Sequence, residues 1–339
     1  MLTKNLLNFG CVGLAALTTW AAPLDKLKVA TTAKWLVHLD IDALRSSALG
    51  NYLITDLLNP ALEDMDELKN LNLSMNISNI SSVTAYGPAF EKNADGVLLV
   101  STSANVKKDL DTVAGMFLLS AGTNSPFVLI ENKPLPLYSF YKSVYFAPIG
   151  DTLIVAKSKD QIERAHDVLR GKAESLAKMS SFQEFPATQN GFFFLAMAEG
   201  FNGNAAMPPQ AQILKETQGG RLAVGERGKN LFVNLVFQGK DDLATTKIQQ
   251  VLQGLVALVS LSQNDADITQ LAGATKIAAD GKNVMVSVEY PVTKAIEKIK
   301  EEREEKPRPH KKKNKKERKH KVEPAPEQDS PPQDENAPK

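Results

Sequence analysis

Polar turns, apolar strands and amphipathic helices follow one another in the same order several times along the chain. In the first copy, the turn Asp95-Gly96 precedes a predicted strand at 97–102, and an amphipathic helix follows at about 105–119. The order recurs at three further predicted strands, each of which follows a turn rich in Gly, Asp or Asn: 152–156, 231–238 and 284–290. Such repetition predicts an internal duplication.

The remaining segments complete a two-part architecture. A strand is predicted at 35–40, and the helix that follows it is expected to end at Asn59-Pro60, because proline disfavours helical geometry in the residue before it. Further strands are predicted at about 73–86, 127–132, 136–141, 143–148 and 191–198. With these strands included, the order of elements in both halves can be written β-α-β-β-α-β-β-α. We therefore predict an α+β fold of two related domains, each an antiparallel-rich sheet with helices packed on one face, at 22–186 and 190–305.

Two helix starts and one helix end are marked by residue type. Ser158 and Gln161 form a capping box, and Gly171 is the expected left-handed terminator of the same helix. Asp241 or Asp242 is predicted to open the helix in the second half. The apolar residues of that helix cover more of its circumference than one amphipathic face, which predicts that the helix is buried on two sides. These residues are Val251, Leu252, Leu255, Val256, Leu258, Val259 and Leu261.

The strand at 231–238 alternates two sets of side chains. The alternation predicts a sheet covered on one side and partly exposed to water on the other; the sets are Leu231, Val233, Leu235 and Phe237, against Phe232, Asn234, Val236 and Gln238.

Residues 1–21 have the features of a secretory signal peptide. Lys4 precedes an apolar run at 6–17, and small residues at Thr19 and Ala21 fit the positions before a cleavage site, so we expect the mature chain to begin at Ala22. The run is shorter than the ~20 residues that span a bilayer, and no later stretch is long enough. The single cysteine, Cys11, lies in this segment. The mature chain is therefore expected to contain no disulfide, thiol nucleophile or cysteine-ligated zinc.

The composition of the C-terminal residues, 306–339, predicts a disordered tail. They include seven of the 18 prolines and no glycine or aromatic residue. Within the near-neutral chain of net charge +1, residues 306–321 hold ten Lys or Arg against one Glu, whereas 323–339 hold five acidic residues against one Lys. We expect the basic stretch to bind an anionic partner; its clustered cations are Lys311, Lys312, Lys313, Lys315, Lys316, Arg318 and Lys319.

His38, Asp40 and Asp42 form the clearest candidate for chemistry. Alternate residues of a strand share a face, so this imidazole and two carboxylates could ligate a metal or act as an acid–base set. The simpler interpretation is that the trio faces solvent, that Trp35, Val37, Leu39 and Ile41 face the core, and that Asp42 caps the next helix. His166 shares helical spacing with Ile162, Ala165 and Leu169, which predicts a core histidine.

Other catalytic signatures are missing from the sequence. It has no Gly-x-Ser-x-Gly elbow and no phosphate-binding glycine-rich loop with Lys and Ser/Thr, so no cofactor is expected. The basic tail has no aromatic residues for base stacking, so sequence-specific nucleic-acid binding is not expected either.

The segment Ala33-Lys34-Trp35-Leu36-Val37-His38-Leu39-Asp40-Ile41-Asp42-Ala43-Leu44-Arg45 resembles the mature start of uncharacterised exported proteins of planctomycete and verrucomicrobial bacteria. Those proteins also have a Trp-containing strand and an Asp-Ala-Leu helix start after a signal peptide. The resemblance implies a location in the bacterial envelope, and it implies no activity and no cofactor.

Our leading hypothesis is an exported, non-catalytic binding or scaffolding protein whose basic tail tethers it to an anionic envelope component or to another protein. One alternative is a metal-dependent or acid–base hydrolase that uses His38, Asp40 and Asp42. Another is a lipid or peptide carrier, which would need an apolar cavity between the sheet and the helices. The sequence leaves the oligomeric state open.

Overall fold

The structure is a computed structural model and describes residues 23–63, 76–89, 95–179, 191–200, 215–261 and 266–305. Its strands are β1 Trp35–Asp40, β2 Ile80–Gly87, β3 Val97–Thr102, β4 Phe127–Glu131, β5 Leu137–Phe140, β6 Val144–Ile149, β7 Thr152–Ala156, β8 Phe192–Glu199, β9 Thr217–Arg227, β10 Asn230–Gly239, β11 Lys276–Asp280 and β12 Asn283–Pro291. Its helices are α1 Ile41–Ser46, α2 Ala48–Tyr52, α3 Asn59–Glu63, α4 Val106–Ala121, α5 Lys159–Leu169, α6 Asp242–Ser260, α7 Ala266–Ala274 and α8 Val292–Glu305.

All twelve strands belong to one antiparallel sheet. Their order is β11-β12-β10-β9-β8-β1-β2-β3-β7-β6-β5-β4. The two halves of the chain meet at the centre, where β1 pairs with β8 and Leu36 lies opposite Met197. The predicted α+β class with an antiparallel sheet is confirmed, and both halves contribute to a single continuous sheet.

The two halves of the sheet have the same strand order when each is followed outward from the centre. The first half runs β1-β2-β3-β7-β6 and the second runs β8-β9-β10-β12-β11, while β5 and β4 extend the first half at its edge. In each half the helix after the third strand, α4 or α6, occupies the same place in the order. The predicted junction between the halves, 186–190, lies outside the described residues.

Helices cover both faces of the sheet rather than one. Ile162 of α5 packs in a core with Leu99 and Ile154, whereas Val106 of α4 packs in a second core with Leu153. Neighbouring residues of a strand point to opposite faces, so α5 and α4 lie on opposite sides. Helix α8 packs in a third core with strand residues Phe194 and Val224, and it bonds to α7, which packs beside α6.

Glycine allows the tight turns of two hairpins, β9–β10 and β11–β12. The pairs Arg227–Asn230 and Asp280–Asn283 close two-residue loops that begin with Gly228 and Gly281, at φ angles of 60° and 53°. A positive φ at this position matches the twist of the flanking strands, and glycine adopts it without steric cost. The shared Gly-Lys-Asn tripeptide thus has the same structural role in both places.

The predicted helix signals are confirmed at three sites. Ser158 Oγ accepts a hydrogen bond from the Gln161 amide, and Gly171 follows the same helix at a φ of 69°. Asp241 caps α6 by accepting from the Ala244 amide at 2.8 Å. The prediction that the first long helix ends at Asn59-Pro60 is wrong: Leu53–Leu58 forms a π-helical turn, and α3 continues from Asn59. Proline is tolerated there because it lies in the first turn of α3.

The alternation on β10 separates a buried face from a partly exposed one, as predicted. Phe232, Val236 and Gln238 are buried, while the alternate set beginning at Leu231 is half-buried. Alternation separates the two faces correctly, but the sheet has cover on both.

Candidate functional site

The three candidate residues on and after β1 do not face solvent as a group. His38 and Asp40 are 1% and 2% exposed, on the same face as the buried Leu36, while Trp35, Val37 and Leu39 are half-buried. The interpretation that the trio faces water is therefore wrong. His38 Nδ1 lies 2.8 Å from Thr84 Oγ1, its cross-strand neighbour on β2.

The two carboxylates have separate structural roles. Asp40, rather than Asp42, caps α1, because its Oδ1 accepts a hydrogen bond from the Ala43 amide at 2.8 Å. Asp42 pairs with Arg45 at 2.5 Å, and the same guanidinium donates to the backbone carbonyl of Ile77. Over the residues that the structure describes, no three His, Cys, Asp or Glu side chains are grouped so that they could hold a metal ion.

His166 lies beside the core rather than inside it. Its side chain is 18% exposed, and Nδ1 lies 3.5 Å from Asp167 Oδ1. It lines a cleft of about 250 Å³ between α5 and the turn that joins β4 to β5. At the rim, Lys159 Nζ donates to Glu131 Oε1 at 2.6 Å, and this hydrogen bond raises the pKa of Lys159. The cleft is lined by charges of both signs, and it does not bring His166 together with Asp40.

The C-terminal half of α6 is more exposed than its sequence predicts. Only Ala244, Thr245 and Ile248 are buried in this helix, all within its first two turns. Five of the seven apolar residues predicted to be buried on two sides are instead exposed: Leu258 and Leu261 are 66% and 75% exposed, and Val251, Leu255 and Val259 are exposed as well, whereas Leu252 and Val256 are half-buried. No charged residue follows Lys247 in this helix. We call Val251, Leu255, Leu258, Val259 and Leu261 the α6 apolar end.

Helix α4 repeats this design in the other half of the sheet. Its four charged residues all precede Thr112, and from Asp111 to Ala121 no side chain is buried. Leu119 is 90% exposed, and Met116 and Leu118 are exposed as well. We call Met116, Leu118 and Leu119 the α4 apolar end. In the sequence, the one sign of these exposed residues is the run without charges that follows Asp111.

Polar contacts bind the charged half of α4 to the sheet, and Val113, Ala114 and Phe117 continue its packing in the second core. Tyr138 on β5 donates a hydrogen bond to Asp111, and Phe127 stacks on the Tyr138 ring with centroids 5.9 Å apart. Burial, followed by the Asp111 carboxylate, raises the pKa of Tyr138. Although burial opposes ionisation of Asp111, hydrogen bonds from Lys107 and Tyr138 hold the pKa of that carboxyl below its usual value. The C-terminal turns of α4 lie beyond these contacts.

The basic residues of the tail, from Lys311 to Lys319, lie outside the described residues, as does the predicted signal peptide. In the part of the chain that is described, no helix combines the length and apolar character needed to cross a bilayer.

Comparison with known proteins yields structural similarity only. No family model matches the chain, and no curated protein matches it. Crystal form III of TP0453 is similar at a TM-score of 0.44 and 12% identity, over 83% of this chain and 99% of that one. Crystal form I of TP0453 is similar at a TM-score of 0.43 and 11% identity, over 83% of this chain and 98% of that one.

Proposed function

We propose that the protein is an exported, non-catalytic protein of the bacterial envelope that binds an anionic lipid surface. The apolar ends of α4 and α6 insert among the lipids, and the basic tail adds electrostatic attraction. The observation that carries the proposal is that two helices at equivalent places in the sheet both end in exposed, uncharged apolar turns.

The exposed apolar residues are too concentrated to be incidental. Single apolar side chains are common on protein surfaces, but clusters of them mark sites of interaction. Burying one leucine side chain stabilises a complex by roughly 1.5–3 kcal/mol. The α6 apolar end alone offers three leucines and two valines on consecutive turns. Contact with a lipid surface removes these side chains from water and leaves the sheet undisturbed.

Charge favours a lipid surface over a second copy of the chain. The two apolar ends have no charged residues among them that could align a protein partner, whereas insertion between acyl chains requires uncharged side chains. The first halves of both helices carry equal numbers of lysines and aspartates, so neither helix has a net charge that repels anionic headgroups. Residues 1–305 carry a net charge of −4, so the electrostatic attraction to an anionic surface comes from the basic tail.

The tail supplies the second binding element. A single weak membrane contact gives marginal binding, and stable attachment needs two. Each Lys or Arg near an anionic leaflet contributes about 1 kcal/mol. Seven of them lie between Lys311 and Lys319, and this stretch begins twelve residues after Ile299 of α8. Helix α8 is linked through α7 to α6, where Lys294 donates to Gln270 and Lys298 pairs with Asp267.

Vesicle flotation tests the proposal. The chain from Ala22 is mixed with vesicles of phosphatidylcholine containing phosphatidylglycerol, or of phosphatidylcholine alone. We expect binding to the anionic vesicles, and at least ~10-fold weaker binding for the double variant Leu255→Gln/Leu258→Gln, because two leucines no longer enter the lipid. Leu27→Gln is the matched control, since Leu27 is 62% exposed, close to the 66% of Leu258, and lies far from α6 in the chain.

The tail is tested in the same assay. Replacing the seven basic residues between Lys311 and Lys319 with Gln should weaken binding to anionic vesicles and make the remaining binding insensitive to salt. The proposal is contradicted if the Leu255→Gln/Leu258→Gln variant and the Leu27→Gln control bind equally well, or if the unmodified chain does not float with anionic vesicles.

Export is tested separately, by expression of the full chain in a Gram-negative host. The mature protein should be recovered outside the cytoplasm with Ala22 at its N-terminus, since Thr19 and Ala21 fit the cleavage site. Recovery of the uncleaved chain in the cytoplasm would contradict this part of the proposal.

A further inference from the structure

The turn between β5 and β6 has a sequence that does not suit its backbone conformation. Tyr141 and Lys142 have φ angles of 49° and 54°, and the Ser143 amide donates to the Phe140 carbonyl at 3.1 Å. Positive φ at both central positions of such a turn is the type I′ conformation, which favours asparagine and glycine. A large side chain at either position costs conformational energy, because its Cβ crowds the backbone carbonyl.

In three other hairpins, glycine takes the position of positive φ. The turns β6–β7, β9–β10 and β11–β12 begin with Gly150, Gly228 and Gly281. Over the described residues, Tyr141 and Lys142 are the only residues other than glycine with a positive φ. The β5–β6 turn therefore keeps two side chains at positions where glycine would favour the fold.

The turn holds an aromatic side chain and a lysine in solvent. Tyr141 is 69% exposed, and its ring meets the exposed ring of Phe140 edge-on, with the centroids 4.6 Å apart. Lys142 is exposed as well. The Tyr145 hydroxyl donates to the Lys142 carbonyl, which adds to the hydrogen bond within the turn and fixes its conformation.

The turn lies near the exposed end of α4. Phe140 is paired with Phe127 at the start of β4, and the Tyr141 amide donates to the Pro126 carbonyl at 2.7 Å. Helix α4 ends at Ala121, five residues before Pro126, and five residues span at most about 18 Å. The aromatic turn and the α4 apolar end therefore lie at the same end of the sheet.

We propose that Tyr141 and Lys142 anchor the α4 side of the protein at the interface of an anionic lipid surface, with the phenol among the headgroups and the ammonium beside their phosphates. This inference rests on the proposed lipid contact and adds a third binding element, on a hairpin, to the two helix ends. Tyrosine is enriched at membrane interfaces because its ring is apolar and its hydroxyl stays hydrated. Lysine is attracted to anionic headgroups.

The surroundings of the turn fit a lipid surface. Exposed apolar side chains lie near it on two elements, the α4 apolar end and the edge strand β4, where Leu129 and Ile130 are each 39% exposed. An apolar region with an aromatic residue and a cation at its margin matches the layers of a membrane surface, where hydrocarbon, interface and charged headgroups follow one another.

The conformation of the turn allows a test that separates stability from binding. The double variant Tyr141→Asn/Lys142→Gly has the residues that a type I′ turn favours, so its melting temperature should rise by about 2–4 °C. Its binding to vesicles of phosphatidylcholine containing phosphatidylglycerol should nevertheless weaken at least ~5-fold, because the interfacial ring and one cation are lost. Unchanged binding with a raised melting temperature would mean that the turn serves the fold alone, and would overturn the proposal.

Two single substitutions identify the property of Tyr141 that matters. Tyr141→Trp should retain or strengthen vesicle binding, since tryptophan shares the interfacial preference, whereas Tyr141→Ala should weaken it. Both variants keep a residue with a Cβ at the strained position, so a difference in their binding reports the ring. Leu27→Ala is the matched control, because Leu27 is 62% exposed, and it should bind like the unmodified chain.

The outcomes distinguish this inference from the proposed function. If Leu255→Gln/Leu258→Gln loses binding while Tyr141→Asn/Lys142→Gly binds like the unmodified chain, the lipid contact stands and the anchor is overturned. Equal binding of Tyr141→Trp and Tyr141→Ala would overturn the anchor as well. If the unmodified chain from Ala22 does not float with anionic vesicles, the proposed function and the anchor are both overturned.

Discussion

The Tyr138 hydroxyl donates a hydrogen bond to Asp111 Oδ1 at 2.6 Å, and this bond joins the charged half of α4 to β5. Lys107 donates to the other oxygen of the same carboxylate at 2.7 Å. The helix is thus held near its start, where its charged residues lie, and its apolar end has no comparable polar contact among the described residues. An exposed apolar end after a bound first half recurs in α6.

The Tyr138–Asp111 bond should contribute to stability in a pH-dependent way. Asp111→Asn is expected to lower the free energy of unfolding by about 0.5–1 kcal/mol at neutral pH, since the carboxylate is partly solvent-screened. The pKa of Asp111 is lowered from 3.8 in the folded state, so its contribution is present above that pH and is lost as the pH falls through the lower, folded-state pKa. Urea unfolding across the acid range measures this.

A double-mutant cycle checks the assignment of that effect. Tyr138→Phe should remove the same hydrogen bond, and the double variant should lose little more than either single variant. Strictly additive losses from Tyr138→Phe and Asp111→Asn would contradict a bond between them.

Substitution of alanine for Gly225 and for Gly254 should change the stability of the fold in opposite directions. A Cβ at Gly225 would collide with the backbone of Gly191 and Phe192, so Gly225→Ala should cost about 1–3 kcal/mol of stability. A Cβ at Gly254, in the exposed half of α6, would meet nothing within 4 Å, so Gly254→Ala should stabilise the fold by up to about 1 kcal/mol. Thermal unfolding measures both. Stabilisation by Gly225→Ala would contradict the β8–β9 register.

His38 is expected to act in packing and hydrogen bonding. His38→Ala should lower the free energy of unfolding by about 2 kcal/mol or more, because the fully buried ring and its hydrogen bond with Thr84 are lost. Elemental analysis of the purified chain should give the same metal content with and without the substitution. Stoichiometric metal that disappears in His38→Ala would revive the hydrolase hypothesis.

Local sequence signals predicted most of the strands and helices, but not which faces of them are buried. The strand at 97–102 and the Asp241 cap follow from alternation and residue type, which act over a few residues. The face of β1 that is buried depends on Tyr86 and Met197, which flank Leu36 from distant parts of the chain. Alternation marks two faces and does not say which one is covered.

The α6 apolar end illustrates the same limit in helices. An apolar run predicts that side chains leave water, and the usual place for them is the protein core. In this fold only the first two turns of α6 contain buried residues, and the apolar residues beyond them are exposed or half-buried.

Insertion of α6 into lipid can be measured at a single side chain. Because Cys11 is the one cysteine of the chain, the protein that begins at Ala22 has none, and Leu258→Cys creates a unique site for an environment-sensitive fluorophore. With vesicles containing phosphatidylglycerol, we predict a blue-shifted emission that lipid-borne quenchers reduce, and no change for the same label at Leu27→Cys. Emission at residue 258 that stays unchanged on vesicles, or that changes equally at residue 27, would contradict membrane docking through α6.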